Sequence, residues 1–376
     1  MMSVLFLGKR HYTNRDALVE RYGRIFQLPW HWSNAGIPTR LWLLDYHGGQ
    51  VERSSFESLQ IASTPLRHPA WLLEWLRRSG LFRPSQRPEV VVASGDSYLG
   101  MLGLVLARAC GARFVFDVYD KYDEFGGFRR PLGFDAFRYV LARADSRLFA
   151  SRALADDLGI TGGINLLVPN GIDAKRFRPL DQRVCRLALG LPEDVCFVGY
   201  FGSMEPDRGV ADLAGAVQQL RERGAKLELL LGGKLSAEID PNQPGVRYVG
   251  NVPFADVPAM LASCNALAVP YRRSAFMDAG ASNKIAEALA CARPLVATMT
   301  PNLTANFPEQ VVTLGDRLAE PGNVQDIARV LALQLERPVL SPMPLDMTWS
   351  TIAETVARSL RFSAATPLSA NVSSQG

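Results

Sequence analysis

The chain has 376 residues, of which 48% are hydrophobic and 21% charged, with a net charge of +4; that length favours two domains with full cores over one. No apolar run reaches the ~18 residues that would span a bilayer, and residues 1–172 carry 21 basic and 16 acidic side chains against 20 and 21 in the rest. A membrane-spanning protein and a nucleic-acid binder are therefore not expected, and the small N-terminal excess reads either as plain solubility or as attraction to an anionic surface or phosphorylated acceptor.

The opening "MMSVLFLGKR" holds an apolar run too short for a secretory signal and is placed like a first buried strand. Further strand candidates follow at "TRLWLLDY", "EVVVAS", "RFVFDVY", "SRLFAS" and "NLLVP", with amphipathic stretches between several of them, such as "SYLGMLGLVLARACG" ending at Gly111. Trp30 and Trp32 are expected in a loop, and "FRRPLGFDAFRYVLAR" begins a helix with Arg129, Arg130 and Arg138 near Phe134 and Phe137. Aromatic and basic residues together suit a membrane interface, and core aromatics with a solvated basic edge explain them equally. His11, His31, His47 and His68 show no metal-ligand spacing, so no metal site is expected; solvated or capping roles are expected ahead of two of them lining a site.

Pro, Asn and Gly cluster between Pro169 and Pro179, which marks the join. A second series then runs "VCFVGYFG", "KLELLLGG", "VRYVGN", "NALAVPY", "PLVAT" and "QVVTLG", alternating with helices such as "VADLAGAVQQLRERG". Strands that alternate with helices in this way predict parallel sheets covered on both faces: an α/β protein of two doubly wound domains, residues 1–172 and 173–347. A last amphipathic helix over 348–363 is expected to pack back on the first domain, followed by a disordered tail over 364–376. Cys110, Cys185, Cys196, Cys264 and Cys291 are odd in number, sit among apolar neighbours and form no CxxC pair, as reduced core thiols in a cytoplasmic protein would.

Tandem domains of this kind bind ligand in the cleft at the carboxyl ends of their strands. Neither GxGxxG nor GxxxxGK[ST] occurs, which removes most of the support for dinucleotide or P-loop chemistry. In "GYFGSMEPDRGV" a strand turns into a helix at about Gly209 and leaves Arg208 beside free backbone N–H donors, an arrangement suited to phosphate. In "GASNKIAEALACARPLVAT", Ser282 or Asn283 can cap a helix whose buried face is Ile285, Leu289 and Ala292. Lys284 and Glu287 share its edge, either as an i,i+3 surface pair worth about 0.2 to 0.5 kcal/mol or as a grip on a nucleotide.

These segments, with "VPNGIDAKRFRP" and "VGNVPFADVPAMLASCNALAVPY", make the chain resemble the retaining, GT-B-fold glycosyltransferases of family 4 over nearly its whole length. "RFVFDVYDKYDEF" is similar to a segment of bacterial members that build surface polysaccharides, and the resemblance puts Asp117 and Asp120 at a strand end facing the cleft. It further implies that Arg208 and Lys284 hold a donor diphosphate within a loop that includes Gly202 and Ser203, that Ser282 and Asn283 open the donor helix, and that Glu287 holds the ribose. Gly8 would admit the diphosphate or sugar, and Asp120, with Asp117 behind it, would face the sugar and the acceptor hydroxyl.

The implied activity is retaining transfer of a sugar from a nucleoside-diphosphate sugar to a saccharide or lipid-linked acceptor, in the cytoplasm or on the inner face of the plasma membrane. No cofactor is expected, and the absence of a DxD pair predicts that no metal is needed. Three positions depart from the family pattern: Ala279 where many members carry a second glutamate, Ser203 where many carry an arginine, and Ala292 where a glycine is usual. The first two motivate one rival, a non-catalytic sugar-nucleotide or partner binder; another GT-B activity, such as a sugar-nucleotide epimerase or phosphorylase, is a second.

Overall fold

The computed structural model describes residues 3–12, 15–67, 70–78, 87–124 and 130–361. The expectations for His68, Arg129 and the tail over 364–376 lie outside the described residues.

Two parallel sheets carry the fold. The first has eight strands in the spatial order Ile164–Leu167, Ser146–Phe149, Arg113–Val118, Val90–Ser94, Val4–Lys9, Thr39–Asp45, Leu59–Pro65 and Glu52–Phe56, all parallel except the last pairing. Its central strand Val90–Ser94 is buried at every residue, so both faces are covered and the sequence reads as a continuous apolar run instead of alternating. The second sheet runs Val246–Tyr248, Leu227–Gly232, Cys196–Phe201, Ala266–Val269, Leu295–Thr298 and Leu318–Ala319. In each sheet the strand order reverses beside the first strand of its series, at Val4–Lys9 and at Cys196–Phe201, and the carboxyl ends of those strands open on one cleft.

Each sheet has its own apolar core. The chain crosses between them twice, side by side: Ile172 pairs with Thr348 in a parallel bridge, with Ile172 N–H on Met347 O at 2.8 Å. Past the second crossing, the helix Trp349–Ser359 returns to the first core, where Trp349, Ile352 and Val356 are buried. Trp32 donates its indole N–H to Ala353 O at 2.8 Å from the helix Gly23–Asn34. Trp30 and Trp32 therefore sit on a helix, not in a loop, because Trp32, Phe26 and Leu28 supply its buried face despite the internal Pro29.

Two further local expectations fail. "QVVTLG" is not a strand but lies in the helix Pro308–Leu314 and its stop: Pro308 starts the helix with its fixed φ, and Gly315, at φ 54°, ends it. The strand it was taken for is Leu318–Ala319, a few residues on. The hairpin Glu52–Phe56 and Leu59–Pro65 was not foreseen, since its outer strand is polar and exposed. Among the described residues no helix is long and apolar enough to cross a membrane.

Candidate active site

The cleft between the sheets has a volume of about 1620 Å³. Single-ligand pockets usually hold roughly 300 to 1,000 Å³, so there is room for more than one small ligand. Its second-domain wall is built from strand ends and one helix start. After Cys196–Phe201 the chain turns through Gly202 and Ser203, makes a short 3₁₀ turn at Pro206–Arg208, and enters the helix Val210–Glu222. Gly209 must be glycine: its φ is +67°, and a Cβ would lie 1.8 Å from Pro270 O. That contact fixes the turn which presents Arg208.

The Arg208 guanidinium stands over the rings of Tyr271 and Phe276, at 5.4 and 5.8 Å. Its buried Nε has no hydrogen-bond partner among the described residues. Burial opposes its charge, but Tyr271, Tyr200, Asp207 and Glu205 together hold its pKa above the ordinary value, so it stays a cation. Lys284, at the start of the helix Asn283–Ala290, places its ammonium 5.5 Å from the Tyr200 ring and against Gly202. Among the described residues no carboxylate comes within 4.0 Å of either cation. Two positive groups in one wall, both unpaired, leave a place for an anion.

The helix start adds to that place. Ser282 occupies the N-cap position, yet its side chain caps nothing: its Oγ shares a hydrogen bond with Tyr271 Oη at 2.8 Å, and its N–H donates to Asn302 Oδ1 at 3.0 Å. The first-turn N–H groups are left without a side-chain cap, beside Lys284. Asn283 instead reaches across to the first domain and donates to Tyr22 Oη at 2.6 Å, while its Oδ1 is buried without a partner. One turn in, half-buried Glu287 lines the cleft; burial raises its pKa, against the pull of Lys284 and Arg15. Ser203 also lines the cleft, and its side chain bonds Glu205, whose pKa is lowered despite burial.

The first-domain wall contains Lys9, Tyr12, Arg15, Tyr22, Tyr119, Asp120 and Tyr122. Burial raises the Asp120 pKa to about 7, with Arg208, Arg24 and Lys9 opposing the shift. Lys9 is bound to Asp96 at 2.6 Å.

Two expected site residues do not face the cleft. Asp117 is fully buried and receives Arg24 Nε at 2.9 Å, Arg24 Nη2 at 2.6 Å and Ser94 Oγ at 2.5 Å. Strand residues three apart point to opposite sides, and the chain leaves the strand only after Val118, so Asp117 and Asp120 separate. Gly8 is buried within its strand and makes room for the helix: a Cβ there would lie 2.4 Å from Ile25 Cγ2. Its glycine serves packing, and Gly8 is absent from the cleft wall.

Of the departures, Ala279 is buried against the first core, and its carbonyl accepts Ser151 Oγ at 2.6 Å. Asp278 is held by Arg273 Nε at 2.7 Å. Neither is among the residues that line the cleft. Sequence reasoning passed over Lys234, which follows "KLELLLGG", and Phe254, which meets Tyr22 at 4.8 Å and Arg15 at 4.7 Å across the cleft. A cation directly after a Gly-Gly strand end was the available signal for Lys234.

Two α/β domains facing across a cleft, with unpaired cations in its wall, form the arrangement expected of a GT-B glycosyltransferase. Comparison with known proteins agrees. The family model for group 1 glycosyl transferases matches residues 194–336, and that for the glycosyl transferase 4-like domain matches residues 10–171. The chain belongs to family 4 of the GT-B glycosyltransferases.

Among solved structures, sucrose-phosphate synthase from Thermosynechococcus elongatus is similar with a TM-score of 0.72 at 16% identity, covering 96% of this chain and 98% of that one. Anabaena HepE in complex with UDP-glucose gives a TM-score of 0.63 at 16% identity, over 97% and 96%. The catalytic domain of starch synthase IV from Arabidopsis thaliana, bound to ADP and acarbose, gives 0.67 at 13% identity, over 95% and 98%. At such identities the likeness speaks for the fold alone. No curated protein sequence matches the chain significantly.

Proposed function

We propose that the protein is a retaining glycosyltransferase that moves a sugar from a nucleoside-diphosphate sugar to a saccharide or lipid-linked acceptor, without a metal at the diphosphate. The observation that carries this reading is the pair of unpaired cations, Arg208 and Lys284, beside the uncapped start of the helix Asn283–Ala290. When the sugar–phosphate bond breaks, charge grows on the departing diphosphate oxygen. A preorganised donor aimed at that charge is worth about 2.7 to 4 kcal/mol, and here a guanidinium, an ammonium and backbone N–H groups supply several. Glu287 takes the ribose diol. The sugar lies toward Asp120, which orients the acceptor hydroxyl or stabilises the cation-like sugar, while the diphosphate accepts the hydroxyl proton on the face it leaves.

UDP and UDP-glucose in Anabaena HepE make UDP the first nucleotide to test. The acceptor side is the first domain, where exposed Leu132 and Phe134 stand beside Arg130 and Arg138, a combination suited to the anionic inner face of a plasma membrane and to surface-polysaccharide synthesis. Ala279 and the engaged Asp278 favour a second reading, a binder that holds a sugar nucleotide without turnover.

A thermal-shift screen against UDP-, GDP- and dTDP-sugars tests binding, since ligand at 100 times its Kd adds about 2.7 kcal/mol. Lys284→Ala should bind and turn over donor at least a hundredfold less well while unfolding like the parent. Near-normal turnover in that variant sinks the site assignment, and binding without any turnover in the parent selects the second reading.

A further inference from the structure

The geometry points to a divalent transition-metal site of the zinc class, formed by His11, Asp45 and His47 at the carboxyl ends of two interior strands of the first sheet. Nothing in the linear spacing of these residues suggests it. The strands Val4–Lys9 and Thr39–Asp45 are parallel neighbours with Lys9 opposite Leu44, so the residues just past their carboxyl ends are brought together. Arg10 N–H donates to Leu44 O at 2.9 Å and fastens the two exits. His11 and His47 then stack, with ring centroids 4.5 Å apart and planes at 19°, and their nitrogens and an Asp45 oxygen all lie within 4.8 Å of one another.

Three features suit an ion. His11 Nε2 lies 3.7 Å from Asp45 Oδ1, too far for a hydrogen bond. It is near the spacing of about 3.4 Å that two ligands have around a tetrahedral zinc, given Zn–N and Zn–O bonds of about 2.0 to 2.2 Å. The Asp45 side chain is only 3% exposed, and among the described residues no lysine or arginine lies within 4.0 Å of it. The nearby Arg10 is already engaged by Asp16 and Glu52. A buried carboxylate whose one close cationic partner would be a histidine is short of positive charge, which a divalent ion supplies. His47 N–H donates to Asp45 Oδ1 at 2.8 Å and orients that carboxylate, as outer hydrogen bonds do at metal sites.

Two imidazoles and a carboxylate select zinc, cobalt or nickel over magnesium or calcium, with the fourth position left to water. Stacked rings cannot both point their lone pairs at one ion, so binding turns the exposed His47 about its side-chain bonds. The ion would clamp the hairpin His11–Tyr12 and Arg15–Asp16, which carries Tyr12 and Arg15 into the cleft, to the end of the neighbouring strand. His11 also lines the cleft, but the three ligands do not include Arg208 or Lys284, so metal uptake is read separately from donor binding.

The test uses the full chain stripped with a chelator. Zn2+ titrated against a chromogenic competitor should be taken up at one equivalent, and Co2+ should give the visible spectrum of a tetrahedral nitrogen and oxygen set without a thiolate charge-transfer band. His11→Ala and His47→Ala should each weaken uptake at least tenfold, whereas His31→Ala should leave it unchanged. His47 is exposed, so its variant should unfold like the stripped parent, which separates lost ligation from lost folding. No uptake, a thiolate band, or parental affinity in the His11→Ala/His47→Ala double variant overturns the site.

Discussion

Asp117→Asn should destabilise the protein by about 3 to 5 kcal/mol, the usual cost of breaking a buried ion pair from one side. The side chains of both Asp117 and Arg24 are 0% exposed, and the carboxylate takes two guanidinium bonds and one from Ser94. Burial opposes the Arg24 charge, and Asp117, with Tyr12 and Tyr122 adding to it, offsets this and holds the guanidinium pKa above its ordinary value. An amide keeps one acceptor oxygen and turns an NH2 toward the guanidinium, which leaves a buried charge uncompensated. The damage should also travel. Arg24 donates to Val168 O at 3.0 Å and Asn170 Oδ1 at 3.1 Å, and Asn170 donates to Ala281 O at 3.1 Å, just before the donor helix. Urea unfolding with the slope held in common measures the loss, and UDP titration of the folded variant reads the effect on the donor wall. Replacing both partners by Arg24→Met and Asp117→Leu should recover much of the stability. An Asp117→Asn variant within 1 kcal/mol of the parent would refute the reasoning, since 3 kcal/mol is the least a broken buried pair should cost.

Gly202→Ala should cost about 1 to 3 kcal/mol in unfolding free energy, because φ is +140°, and should weaken UDP binding at least tenfold, because the new Cβ would fall 2.6 Å from Lys284 Cε and push the ammonium aside; parental UDP affinity would count against it. Ala292 follows the helix Asn283–Ala290 at φ 50°, where glycine is favoured, so Ala292→Gly should add a net ~0.5 to 1 kcal/mol of unfolding free energy after the extra chain entropy is subtracted, read as a higher denaturation midpoint. A lower midpoint would contradict it. For Asp120, the folded pKa of about 7 lies above the ordinary 3.8. Between those values the folded state keeps a proton that the unfolded state has lost, so this group's contribution to stability falls as pH rises through the window. Asp120→Asn should flatten that decline in unfolding free energy measured against pH; an unchanged slope would show that Asp120 is not its source.

The amino-acid sequence by itself determined the class of the fold and picked out two loop–helix junctions, at Arg208 and at Lys284, that line the cleft. Alternating apolar strands and amphipathic helices are local patterns, and a loop–helix junction such as that around Arg208 or Lys284 binds anions through its own backbone, so both can be read along the chain. The tertiary structure alone decided which of two nearby carboxylates meets the cleft, because Asp117 is claimed by Arg24 from a helix 93 residues away. It also decided the purpose of Gly8, set by Ile25 packing against it, and the meeting of His11 with Asp45 and His47, set by strands adjacent in space. "QVVTLG" carries β-branched residues yet folds as a helix, since Pro308 before it and Gly315 at its end outweigh a weak strand propensity. What is local in the chain shows in the sequence; what depends on which side chain another element brings appears only once the sheets are assembled.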